Sequence, residues 1–161
     1  MILAGDSTYA RAESLLARHQ FAEARALAEQ IVREYPNEER AHLLLGRVLL
    51  ASPTVGRYPA LEQFKVAANL APTDPEPLYL EAMVGFALGG DDGDRLARES
   101  LVRLFTLSSN YRDAWFRFRL LYQDKHIRRD ADRALAHHPN DPAALVQRAE
   151  LALDLLSLIH I

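Results

Sequence analysis

Three prolines, Pro36, Pro72 and Pro139, each close a run of apolar residues set at helical spacing, and Ser109 stands where a fourth is expected. Successive separations are 36 (72 − 36), 37 (109 − 72) and 30 (139 − 109), averaging close to 34. A chain with such a period is built from copies of one supersecondary unit. The clearest copy is 38–72. His42, Leu45, Gly46 and Leu49 form one apolar stripe, and Ala60, Phe64 and Ala67 form a second. A loop from Ser52–Pro53 to Gly56 separates them, and Pro72 blocks continuation of the second helix. The pattern predicts two short antiparallel helices that meet through the small residues Gly46, Ala60 and Ala67. One such hairpin cannot bury its apolar face alone, so neighbours are required.

The rest of the chain supplies them. In residues 6–36, Asp6 or Ser7 is placed to cap the first helix and Leu15 and Leu16 lie on its inner side. His19-Gln20 makes a tight connection, and Phe21, Ala24, Ala28, Ile31 and Val32 follow at three- and four-residue steps. Asn37 is placed to cap the next helix, with Glu38 and Glu39 favourable to its dipole. Residues 73–109 open on Asp74-Pro75-Glu76, a capping acid followed by proline at the first helical position. Leu78, Ala82 and Phe86 follow, Gly89-Gly90-Asp91-Asp92-Gly93 reads as the turn, and Ala97, Leu101, Leu104 and Phe105 form the second stripe. In residues 110–139, Asn110 is the expected cap. Ala114, Trp115, Phe118 and Tyr122 form one stripe, and Ile127, Ala131, Ala134 and Leu135 the other, with a short turn near Gln123–Lys125. Asp141-Pro142 repeats the start signal, and residues 140–155 begin a fifth unit.

Composition narrows the chemistry. At 49% hydrophobic and 25% charged, 161 residues can bury a sizeable core. The formal net charge of −3 gives no bulk electrostatic case for nucleic acid or an anionic membrane. The absence of cysteine removes disulfides, thiol nucleophiles and cysteine zinc sites. No stretch nears the ~20 apolar residues that span a bilayer, and no basic, then apolar, leader opens the sequence. Cytoplasm is therefore the default compartment. Sustained alternation of the kind strands need is missing too.

A search for catalytic groups finds no enzyme. His137 and His138 are adjacent, so on a helix they point about 100° apart and cannot share one metal. His126 and Asp130 share a face, but one histidine and one aspartate make a poor site, and a solvated pair is the plainer reading. The 89–93 run lacks the Lys-Ser/Thr of a phosphate loop and the ligand spacing of a calcium loop. No metal, cofactor or small-molecule substrate is expected. Residues 112–133 interleave Arg112, Arg117, Arg119, Lys125, Arg128, Arg129 and Arg133 with Trp115, Phe116, Phe118 and Tyr122, as single-strand binders do. Asp113, Asp124, Asp130 and Asp132 offset more than half of that charge, so packed rings beside a solvated face are favoured over nucleic acid.

The period and the small–large pattern resemble the tetratricopeptide repeat. Its pattern runs roughly Trp–x2–Leu–Gly–x2–Tyr, then Ala–x3–Phe–x2–Ala, then Pro, and His42, Leu45, Gly46, Leu49, Ala60, Phe64, Ala67 and Pro72 match it, some conservatively. Trp115, Phe118 and Tyr122 match its first half, and Ala24, Ala28, Ile31 and Pro36 its second. Arg119, where a small residue is usual, Ser109 for proline, and unequal loops are departures. The resemblance implies an all-α, helical-hairpin solenoid, a right-handed superhelix of about four and a half repeats formed by residues 1–155 as one array. It also implies a concave surface lined by first helices. Tyr9, Leu43, Tyr79, Phe116 and Leu145 align at one groove-facing position, and Glu13, Arg47, Met83 and Leu120 lie one turn further on. Arg40 precedes Leu43 on the same side. Such a strip suits an amphipathic helix or an extended peptide, with Arg40 and Arg47 available to a carboxylate. The family's clamp for chaperone tails needs Lys at the position of Tyr9 or Leu43 and Asn four residues on, and neither is present.

The function so implied is a protein-interaction scaffold with a protein or peptide partner and no catalysis of its own. A second reading is the docking or regulatory part of a longer enzyme or secretion protein; single-stranded nucleic-acid binding is the weaker third. The last six residues, Leu156 to Ile161, break the charge pattern and resemble a translated sequencing adapter. Residues 156–161 are therefore expected to be non-native, with the natural protein continuing past residue 155.

Overall fold

A computed structural model describes residues 4–121 and 125–157 of the chain. Among the described residues all regular structure is helical and no strand occurs. In order the helices are α1 (Ala4–Ala17), α2 (Phe21–Glu34), α3 (Glu39–Ala51), α4 (Arg57–Leu70), α5 (Pro75–Leu88), α6 (Gly90–Leu107), α7 (Ala114–Leu121), α8 (Lys125–Leu135) and α9 (Pro142–Ser157). They fall into two compact units, Met1–Leu80 and Glu81–Ile161.

In the first unit α1 pairs with α2, α2 packs on α3, and α3 pairs with α4. The α1–α2 connection is as tight as the sequence implies. His19 takes a left-handed φ of 59°, and the amides of His19 and Gln20 donate to the carbonyls of Leu16 and Leu15 at 3.0 and 2.9 Å. Ala24, Ala28 and Ile31 of α2 are fully buried, the inner stripe their spacing predicts. Gly46 earns its place by contact: a Cβ there would sit 2.4 Å from Cε1 of Phe64, so the α4 ring lies directly on the α3 backbone. His42 fills the family's tryptophan position as a buried polar side chain. Its Nε2 lies 2.9 Å from the Pro36 carbonyl and its Nδ1 2.8 Å from the Gln63 side-chain amide. The Gln63 atom at Nδ1 is the amide oxygen Oε1, an acceptor like the Pro36 carbonyl, so a ring with a single N–H donates to one of the two.

In the second unit α6 packs on α7 and α8, and α8 packs on α9. Gly85 and Gly93 face one another, since a Cβ on either would come within 2.6 Å of the other's carbonyl oxygen. Phe118 is fully buried against Phe105 and Trp115, with ring centroids 5.4 and 5.7 Å away. Ser109 repays the loss of proline: its hydroxyl donates to the Asp141 carboxylate, and its carbonyl accepts from Gln147 Nε2 at 2.8 Å. That hydroxyl and the Ala143 amide hold the Asp141 carboxyl below its ordinary value of 3.8.

Helix starts differ from the sequence reading wherever glycine or a short turn decides. Asp74 and Asp141 do cap, accepting from the amides of Glu76 and Ala143 at 2.8 and 3.0 Å. Helix α3 instead starts after Glu38 with no side-chain cap, so Asn37 does not serve. Positive φ at Gly89 (66°) and Gly90 (65°) completes the turn early, and Asp91, Asp92 and Gly93 belong to α6. Helix α7 begins at Ala114, beyond Asn110, after Arg112 takes a left-handed φ of 47°. Helix α1 begins at Ala4, upstream of Asp6 and Ser7. The turn expected near Gln123 lies outside the described residues, as do 158–161 of the tail; α9 itself runs to Ser157.

Candidate functional site

The residues aligned on the expected groove divide by burial. Tyr9, Leu43 and Tyr79 are 3%, 8% and 8% exposed, and Met83 is half-buried. In contrast Phe116 and Leu120 are 65% and 63% exposed, and Leu145 is 50% exposed. The reason is local. On α7 the buried positions are Ala114 and Phe118, four apart, which turns the stripe of Phe116 and Leu120 away from that core.

In the first unit the buried side is polar as well as apolar. Arg40 lies with its guanidinium carbon 4.3 Å from the centre of the Tyr9 ring and 3.9 Å, nitrogen to oxygen, from Glu13. Burial and the nearby Glu38 carboxylate push the Tyr9 phenol far above its usual range. Arg47 pairs with Glu76 at the start of α5, so both arginines expected to meet a carboxylate already meet one within the chain. Glu39, beside Asp74 and Glu76, is pushed up to about 7 by burial and by the proton it shares with Asp74. The sequence reading missed this carboxylate group, because its members come from helix starts about 35 residues apart.

In the second unit Phe116 and Leu120 form an exposed apolar pair one helical turn apart, flanked by cations. Arg117 donates to Asp113 at 2.8 Å and lies 5.7 Å from the Phe86 ring centre. Arg119 reaches Glu150 of α9 at 3.6 Å, the same carboxylate to which Trp115 Nε1 donates at 2.9 Å. Arg119 thus takes a neighbour's acid where a small residue is usual. Among the described residues no cluster of three metal-ligating side chains occurs, and no helix is long and apolar enough to cross a membrane.

Fold and face together define a class: helical hairpins repeated along the chain, carrying exposed side chains on first helices, an architecture whose surfaces serve as scaffolds. Residues 6–48 match the tetratricopeptide repeat family model. Two solved structures described as crystal structures of MamA share the fold. One is 19% identical over 94% of this chain and 82% of its own, with a TM-score of 0.64. The other is 20% identical over 94% and 84%, with a TM-score of 0.59. No curated protein matches. Residues 6–48 thus carry the tetratricopeptide repeat, and the fold class of the chain is the helical-hairpin solenoid.

Proposed function

We propose that the protein is an interaction scaffold that holds an amphipathic peptide or helix of a partner protein and carries out no chemistry of its own. One observation carries this reading: Phe116 and Leu120 stand more than three-fifths exposed on α7, one turn apart. Two large apolar side chains at i, i+4 with arginines on either side are the anchors an amphipathic helix needs. The buried Tyr9, Leu43 and Tyr79 serve the packing of first helices in this reading, and Met83 lies between the two cases.

The test is selection of binders from a displayed library of helical 12-residue peptides, followed by titration against the Phe116→Ala/Leu120→Ala double variant. Both side chains are exposed, so the far-UV circular dichroism of the variant should match the parent. A loss of at least tenfold in affinity is expected. Peptides that hold equally well to the double variant would place partner binding elsewhere.

A further inference from the structure

The start of α5 is fastened to α3 through one aspartate, wholly within the first unit. Helix α5 opens Pro75-Glu76-Pro77, and proline has no N–H, so Glu76 holds the single backbone donor of its first three positions. That donor goes to Asp74 Oδ1 at 2.8 Å. The Asp74 side chain also hydrogen-bonds that of Glu39, at the start of α3. Two carboxylates cannot make such a bond, because both only accept, so one proton lies between them. A second tie joins the same helices. Arg47, two turns further along α3, pairs with the Glu76 carboxylate.

This group is short of cations. Glu39, Asp74 and Glu76 carry −3 when all are ionised, and Arg47 returns +1, so the sum is −2; a proton on the Glu39–Asp74 pair brings it to −1. Glu39 Oε1 is buried and meets no donor among the described residues, so burial favours the neutral form as well. The charges that act on the Glu39 carboxyl are those of Asp74 and Glu76, and both favour its protonation. The other ionisable groups around the start of α3 have their own surroundings. Tyr9 and Glu13 of α1 face Arg40, and Glu38 acts on Tyr9. At the end of α2, Tyr35 lies beside Tyr9, while Arg33 and Glu34 are exposed, with Gln30 donating to Glu34 at 2.8 Å. The last turn of α4 carries no ionisable side chain, and His42 of α3 lies between the Pro36 carbonyl and Gln63 Oε1.

We propose that the Glu39–Asp74 pair is a proton-operated latch between α3 and the start of α5, closed while one proton bridges the two carboxyls and open once it leaves. Loss of the proton sets two anions against each other with a third, Glu76, beside them. Asp74 then moves away from Glu39, and the first turn of α5, whose one donor is committed to Asp74, loosens with it. The Arg47–Glu76 pair remains as a tether, so the change is a local opening and not a separation of the helices. Leu43, one turn along from Glu39, and Tyr79, one turn along from Pro75, are the groove-register residues nearest the latch, and both are buried while it is closed. Opening loosens the packing over them. The direction follows from the raised Glu39 carboxyl: the latch is closed in mild acid and opens as pH rises through about 7.

The experiment is hydrogen–deuterium exchange of the full chain at pH 6 and pH 8, corrected for the intrinsic pH dependence of amide exchange and read by mass spectrometry on peptides covering 38–46 and 73–80. Release of one proton from a group near 7 multiplies the opening equilibrium about tenfold between those two conditions. Both peptides of the parent are therefore expected to lose about tenfold in protection at pH 8. Glu39→Gln, whose amide N–H donates to an ionised Asp74 at either pH, is expected to lose none, while Glu38→Gln keeps the parent's behaviour. Infrared spectra should show a protonated-carboxyl band in the parent at pH 6 that is gone at pH 8 and missing from Glu39→Gln at both. Equal protection of the parent at the two pH values would overturn the proposal. So would an unaltered pH dependence in Glu39→Gln, or a parent without the band at pH 6. None of these readouts involves Phe116 or Leu120, so the latch and the α7 reading stand or fall separately.

Discussion

Replacing Gly46 with alanine tests the close approach of α3 and α4, on which the first unit depends. A Cβ built on Gly46 falls 2.4, 2.7 and 2.9 Å from three atoms of the Phe64 ring, where ordinary contact begins at 3.4 Å. The ring is fully buried, and in a close-packed interior a side chain of that size shifts only by displacing its neighbours. One of the helices must therefore move by about 1 Å, and forced overpacking of this kind costs about 1–3 kcal/mol, occasionally more. Against that stands the better helix propensity of alanine, worth about 1 kcal/mol in an unconstrained helix. The two effects have opposite signs, so the sign of the result decides between them. We expect Gly46→Ala to destabilise by about 1–2 kcal/mol net in urea unfolding followed by circular dichroism. The partner test is the double-mutant cycle with Phe64→Leu, in which the smaller side chain should recover part of the Gly46→Ala loss, giving a favourable coupling of at least about 0.5 kcal/mol. A Gly46→Ala variant more stable than its parent would show that the backbone of α3 is not pressed by the Phe64 ring, and the reasoning would fail.

Two further perturbations address charge. With Glu39 raised from 4.5 to about 7, the folded state binds the extra proton, so this group's contribution to stability is fully present below pH 4.5 and is lost as pH rises through about 7. Glu39→Gln should therefore leave stability nearly unchanged at pH 5 and raise it by about 1–2 kcal/mol at pH 8, a figure discounted for partial exposure, in parallel urea titrations. Ser109→Ala removes the hydroxyl that donates to Asp141. Since the Asp141 carboxyl is held below its ordinary 3.8, the contribution is present above that value and fades as pH falls through the folded one, so the thermal midpoint of Ser109→Ala should fall below the parent's at pH 7 and converge on it in acid.

The fold was legible because its signals are short-range and repeat. Asp74-Pro75 and Asp141-Pro142 name helix starts by chemistry that needs no distant partner, and both caps form. Small residues at Gly46, Ala60 and Ala67 announce a close helix pair, and Phe64 lies on Gly46 as that reading requires. What failed at boundaries failed for a local reason as well. The acid-rich glycine run 89–93 satisfies turn chemistry throughout, but two left-handed glycines suffice to reverse the chain and the acids then stabilise the first turn of α6.

The expected groove was harder to read, and α7 shows why. Its sequence, Ala-Trp-Phe-Arg-Phe-Arg-Leu-Leu, is apolar or arginine on every side, so no period separates the buried face from the exposed one. The choice is made by Phe118, which meets Phe105 edge-on from α6, a contact 13 residues away in sequence. Once Phe118 is inside, geometry places Phe116 and Leu120 outside. In the first unit the reverse holds: Tyr9 aligns with Phe116, yet Arg40 from α3 lies over its ring and Tyr35 lies beside it at 6.5 Å. Equivalent positions in the repeat thus carry different duties according to what the neighbouring helix supplies. Alignment of repeats identifies which side chains share a register; packing decides which of them remain available to a partner.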